Sequence, residues 1–243
     1  MQMFRRLFIA AASAGLLSGL FIAVVHLVTT VPVIHQAEPY EQAADAQEPA
    51  QTAMPGMSTA VSEDGHDHDH QAAWEPQDGF ERTAYTVLAD VLTGIGFSLL
   101  LVAAYAVAGG KMDWRRGFYW GLAGFAAFAL APGLGLPPEL PGTASAALTE
   151  RQIWWVATAL LTAGALALLF YVKQAKLLWY LVAVAMLIAP HLMGAPQPSE
   201  YSSAAPESLE HRFIALTAVA LLLSWLSAGV LSGYFYGRFV REG

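Results

Sequence analysis

The sequence predicts an all-α, polytopic integral membrane protein of about six transmembrane helices, N-terminus inside, with one long disordered outer loop. Three observations carry that prediction. Of 243 residues, 56% are hydrophobic and only 13% charged, about half the charge of an ordinary soluble domain. Six apolar runs, 7–28, 83–108, 117–136, 153–172, 177–193 and 213–235, match or approach the roughly 20 residues needed to cross a hydrocarbon core of about 30 Å. Basic residues also alternate across those runs, as the excess of Lys and Arg in cytoplasmic loops requires. With the N-terminus inside, Arg5, Arg6, Lys111, Arg115, Arg116, Lys173, Lys176, Arg238 and Arg241 are cytoplasmic, nine of the twelve basic residues. Sixteen of the nineteen carboxylates fall outside, the exceptions being Asp113, Glu242 and Asp90.

The run 7–28 follows Arg5 and Arg6 and could pass for a secretory signal. At 22 residues it is longer than a usual signal core, and the cleavage-like "ADA" at 44–46 lies far beyond its end, so a retained span is expected. The next segment, 29–82, is rich in Ala, Gln, Glu, Pro and Asp. It has too little apolar surface to offset its chain entropy, so a flexible outer loop is expected. At its centre "EDGHDHDH" spans 63–70 and sets His66, His68 and His70 at alternate positions, with Asp67 and Asp69 between them. In extended backbone alternate side chains share a face, so three imidazoles can converge, with carboxylates as oxygen ligands. That donor set suits Zn, Cu, Ni, Co or Fe without choosing among them. Such a tether must be ordered on binding, which favours capture and hand-off over storage.

Within 83–108, Thr83, Thr86, Asp90, Thr93 and Gly94 share one helical face. An acid buried in a span defaults to a functional role, so Asp90 is a candidate cation ligand. The run 117–136 meets prolines in "APGLGLPPELPG" (131–142) and is expected to end early, leaving a lip that carries Glu139. Ahead of 153–172, Arg151 is expected to form a solvated pair with Glu150, and Trp154 with Trp155 an interfacial anchor. Pro190 kinks the fifth run and precedes His191, which with His26 could approach the outer mouth above Asp90. Small residues recur every four positions at Ala11, Gly15 and Gly19, and at Gly229, Gly233 and Gly237, ridges that let helices approach closely.

Several classes are excluded. With no cysteine, thiolate metal sites, Fe–S clusters and disulfides cannot form. The scattered basic residues offer no nucleic-acid face, and Gly109–Gly110 has no phosphate-loop context.

The blocks "FRRLFIAAASAGLLSGL", "EPYE", "GFERTAYTVLADVLTGIGFSLLL", "GLAGFAAFALAPGLGLPPELPG", "RQIWWVAT" and "APHLMGAP", with the His/Asp loop, run in order through nearly the whole chain. Together they resemble the cobalt transporter subunit family CbtA. The resemblance implies a bacterial inner-membrane subunit for uptake of Co²⁺ as substrate, linked to cobalamin supply, with a small His-rich single-span companion, CbtB. That family is described with five spans, whereas the charge alternation here gives six. The matching blocks contain Glu81, Asp90, Glu139, Arg151, Gln152, Trp154, Trp155, Pro190 and His191, to none of which the resemblance assigns a role.

The expected organisation is therefore 1–28 as the N-terminus and first span, 29–82 as a periplasmic His/Asp loop, and 83–243 as a five-helix bundle. His66, His68, His70, Asp67 and Asp69 would capture metal, and Asp90, His26, His191 and Glu139 would line a pathway. No tightly bound cofactor and no catalysis are expected. Partners would be the bilayer, the companion subunit and further copies of the chain. Ni²⁺ or Zn²⁺ as cargo, a membrane-embedded metal enzyme with His191, Asp90 and Glu139 around an ion, and a metal sensor are the alternatives.

Overall fold

A computed structural model describes residues 1–46, 76–172 and 177–240, and its architecture is all-α with no β-strand among the described residues. In chain order the helices are α1 (Gln2–Val28), α2 (Thr30–Asp45), α3 (Phe80–Ala108), α4 (Trp114–Phe125), a π-helical turn (Ala126–Leu130), α5 (Ala131–Gly133), α6 (Leu148–Tyr171), α7 (Leu177–Met193) and α8 (Glu207–Val240). α1, α3, α6 and α8 are each long and apolar enough to cross a membrane, and α7 is a shorter apolar helix. Its 17 residues rise about 26 Å. From α4 the helix continues unbroken through the π turn into α5, so six helical runs correspond to the six apolar stretches. Large apolar side chains such as Leu16, Phe21, Leu92, Leu181 and Val219 point outward, where lipid rather than water is the solvent they suit.

The core bundle packs α1 against α3 and α8, and α8 against α4, while α7 packs on α6. Glycine ridges set the closest approaches. A Cβ on Gly19 would lie 2.5 Å from Cα of Val91, and one on Gly15 would collide with the Ile95 backbone. Gly117 and Gly121 meet Gly229 and Trp225 across α4 and α8 in the same way. Bare backbones meeting this closely replace, by van der Waals contact, the hydrophobic drive that lipid cannot supply. Around them, Tyr105 shares a hydrogen bond with Ser232 Oγ at 2.9 Å, and Phe128 stacks on Trp225 with ring centroids 5.3 Å apart.

The π turn has a local cause. Pro132 has no N–H and its ring crowds the carbonyl four residues back, and Ala131 donates instead to Ala126 five residues back. Beyond Gly133 the chain is irregular as far as Leu148, the early ending that the prolines of 131–142 predicted.

One expectation fails in part. The segment 29–82 was expected to be flexible, yet its first sixteen residues past Thr29 form α2. Val33 and Ala37, one turn apart, are both fully buried and join Leu140, Ala205 and Phe213 in a small cluster. Average composition concealed this short apolar stripe, and tertiary packing rather than propensity stabilises it. The cluster gathers α2, the 139–145 lip and the start of α8 at one end of the bundle, where carboxylates predominate. Met112, Tyr236, Leu7 and Val240 pack together at the other, alongside Lys111, Arg115, Arg116 and Arg238 in the sequence. These are called the acidic and basic ends below.

Candidate functional site

α1 stops at Thr29, whose backbone leaves helical geometry (φ −120°, ψ −70°). Pro32 lies in the first turn of α2 and cannot donate back to α1. The Thr29 and Thr30 hydroxyls donate instead to the carbonyls of Val25 and His26, at 2.6 and 3.3 Å. His26 is thereby fixed in the last turn of α1. Asp90 sits on α3, about 12 Å along the helix axis from Arg82 by the helical rise. The tight glycine contact between α1 and α3 brings the two side chains together. His26 Nδ1 lies 3.0 Å from both carboxylate oxygens of Asp90, with His26 26% and Asp90 14% exposed.

The pairing determines which nitrogen can do chemistry. When the carboxylate is ionised it only accepts hydrogen bonds, so Nδ1 donates to it, and in a neutral imidazole Nε2 then keeps its lone pair. An imidazole in that form can ligate a metal through Nε2 while the carboxylate holds its orientation.

A hollow of about 410 Å³ reaches the pair at His26 but not at Asp90; His26, His35, Thr30, Thr83, Thr86 and Thr217 line it, with Arg82 also in its wall. Thr83 and Thr86 donate to the carbonyls of Gly79 and Arg82 at 2.8 and 2.9 Å, which leaves their oxygens able to accept. Thr217 Oγ1 is buried with no hydrogen-bond partner. Arg82 Nη2 donates to Glu38 Oε1 at 2.5 Å and its Nη1 to Asp78 Oδ1 at 3.1 Å, while His35 Nδ1 lies 3.1 Å from Glu38 Oε2. The Arg82 hydrogen bonds hold the Glu38 carboxyl below its usual range, against a smaller opposing effect of burial, and His35 adds to the lowering. This ion pair ties α2 to the N-terminal end of α3.

Residues 4–237 match the family described as "Probable cobalt transporter subunit (CbtA)". The chain belongs to the CbtA family. No curated protein and no solved structure matches it. CbtA membership makes it a membrane subunit for cobalt transport, in which Co²⁺ is cargo, and the word subunit implies partner chains.

The other candidate residues of this CbtA-family chain lie apart from the pair. His191, on α7, sets its ring against Trp154 with centroids 5.9 Å apart, and neither His191 nor Glu139 lines the hollow. Glu139 is held by Arg151 at 2.8 Å and by the Ser145 hydroxyl at 3.0 Å. Arg151 was expected to pair with Glu150, but adjacent residues on a helix do not face each other, and the lip carries Glu139 within reach instead. Trp154 is no interfacial anchor: it is 8% exposed and donates from Nε1 to the Pro190 carbonyl at 3.2 Å, joining α6 to α7. His66, His68, His70, Asp67 and Asp69 lie outside the described residues. Among the described residues no group of three His, Asp or Glu side chains could hold a metal ion.

Sequence reasoning overlooked His35, Glu38 and Arg82. A signal existed: His35 and Glu38 are three apart, as are neighbours on a helix, and Pro32 ahead of Val33 and Ala37 marks a helix start.

Proposed function

We propose that this CbtA-family subunit takes up Co²⁺ by passing it from the His/Asp segment at 63–70 to the His26–Asp90 pair and on through the bundle. The observation that carries the reading is the imidazole–carboxylate pair within the membrane-spanning helices, beside an open hollow at the acidic end. With basic residues inside, that end faces the periplasm and the protein sits in the bacterial inner membrane with six spans. His66, His68 and His70, with Asp67 and Asp69, raise the local ion concentration, and the net negative charge outside helps to draw cations in. At the pair, His26 Nε2 supplies one ligand, and Asp90 either orients the imidazole or ligates directly. Threonine oxygens and water complete a loose coordination shell. A shell with few protein ligands suits a waypoint, where an ion must leave as readily as it binds. The membrane potential favours inward movement by about 2.3 kcal/mol per charge per 100 mV.

His191 and Glu139 belong to a further part of the route, reached through the 139–145 lip. The companion is a small single-span CbtB-like chain, and copies of the subunit assemble with it. Ni²⁺ and Zn²⁺ are competing cargoes, since they bind the same ligands.

Reconstitution in liposomes, with and without the small companion, tests the proposal. Inward Co²⁺ flux that collapses in Asp90→Asn and His26→Ala supports it. Full flux in both variants removes the pair from the route, and a complex that moves no metal overturns the transport reading.

A further inference from the structure

A cavity of about 640 Å³ lies away from the His26–Asp90 pair, between α3, α4 and α6. Small residues create it: Ala104, Ala123, Ala163 and Ala167 stand where larger side chains would fill the space. Leu100, Tyr119 and Phe170 of its lining are exposed, so it opens on the surface of the bundle, and its apolar wall gives water few hydrogen-bond partners.

Length indicates the occupant. Along α4 and the π turn the lining runs from Arg116 to Phe128, about 18 Å by helical rise. One leaflet is roughly 15 Å deep, half the core, whereas a transmembrane segment needs about 30 Å. On α3 and α6 the lining is likewise confined to 100–104 and 163–170, the halves nearer the basic end. A neighbouring helix would overrun the cavity, and a single acyl chain matches it. Charge indicates the headgroup. Arg116 lines the cavity at its basic end, exposed and donating from Nη1 to the Lys111 carbonyl. Lys111 and Arg115 are exposed beside it. The acid of that turn, Asp113, accepts the Arg116 backbone N–H at 2.9 Å as the cap of α4. Basic pockets between helices on the cytoplasmic side are suited to anionic headgroups.

We infer that this cavity is a binding site for one acyl chain of an anionic phospholipid, its phosphate held at Arg116 with Lys111 alongside.

Trp120 and Trp225 line the cavity, so once the other five tryptophans are replaced by Phe, the remaining fluorescence reports on its occupant. The full chain is placed in phosphatidylcholine vesicles, and phosphatidylglycerol or phosphatidylcholine with brominated acyl chains is titrated in. The expected result is quenching at about fivefold lower mole fraction of the anionic lipid, the factor that one basic contact of about 1 kcal/mol provides. Arg116→Gln, at an exposed position, abolishes that preference. Ala167→Phe, also at an exposed lining position, fills the hollow and lowers quenching by both lipids. Equal quenching by the two lipids in the native chain overturns the inference. So does an anionic preference that survives Ala167→Phe, which would be surface attraction alone. Unquenched tryptophans would point to a protein helix in the cavity and overturn it as well.

Discussion

His26 and Asp90 are sixty-four residues apart in sequence, yet Nδ1 of one is equidistant, at 3.0 Å, from both carboxylate oxygens of the other. Such a bifurcated contact fixes the plane of the imidazole, and with it the direction of Nε2. Loss of a carboxylate that orients a ligating histidine costs about 10–100-fold in metal affinity. Asp90→Asn keeps the size of the side chain and removes its charge, so the Co²⁺ concentration that half-saturates uptake should rise by about that factor. His26→Ala should do at least as much. Uptake curves for radioactive cobalt in intact cells check this, and a curve that superimposes on the native one would remove the pair from the pathway.

The pair depends on how closely α1 and α3 approach. Gly19→Val places methyl groups where Cα of Val91 lies 2.5 Å from a bare Cβ, and overpacking of this kind costs about 1–3 kcal/mol. A lower melting temperature in detergent is expected, together with reduced uptake, because the two helices no longer hold His26 against Asp90. Gly96→Ala is the control. Nothing lies within 4 Å of a Cβ there, and relief of glycine's chain entropy should stabilise by about 0.5–1 kcal/mol. Equal melting temperatures for native protein and Gly19→Val would show that the contact is looser than the backbone spacing requires.

These two residues illustrate what the sequence made legible and what it did not. Hydropathy reveals each apolar run because lipid tests every residue of a helix independently, and the four-residue spacing of Gly15 and Gly19 marks the face on which α1 meets a neighbour. The partner of that face cannot be read from spacing. Asp90 was visible as an intramembrane acid and His26 as a histidine near a helix end, but their meeting depends on the register between α1 and α3, a tertiary property. α2 was missed for a related reason. Its burial rests on Val33 and Ala37 finding Leu140, Ala205 and Phe213, residues supplied by distant segments.

The Glu38–Arg82 pair gives α2 a defined response to acid. The folded-state carboxyl of Glu38 lies below its ordinary 4.5, so its contribution is fully present above that value and is lost as pH falls through the lowered one. His35 also faces Glu38, and positive charge on that imidazole can only add to the attraction for the carboxylate, so no loosening is expected above that range. Amide exchange across 30–45 should therefore stay slow from neutrality down to 4.5 and quicken only below it. Glu38→Gln should exchange faster than the native chain above 4.5 and converge with it as pH falls through the lowered value. Loosening of native α2 well above pH 4.5 would mean that a group other than Glu38 governs its response to acid.

Capture and passage should separate kinetically if the loop and the intramembrane pair are successive stations. Replacing His66, His68 and His70 with Ala lowers the local ion concentration without touching α1 or α3, so uptake should fall at limiting Co²⁺ and recover at saturating Co²⁺. Asp90→Asn should recover only at about 10–100-fold higher Co²⁺, since its defect lies in the affinity of the pair itself. Acidity supplies an independent check, because free imidazoles protonate near pH 6.5 and protonated imidazole cannot ligate. The native advantage over the triple variant at limiting Co²⁺ should therefore shrink as the outer pH drops below about 6.5. Uptake by the triple variant that equals native uptake at every concentration and pH would leave the histidines with no part in capture. The intramembrane pair would then have to gather ions directly from the periplasm.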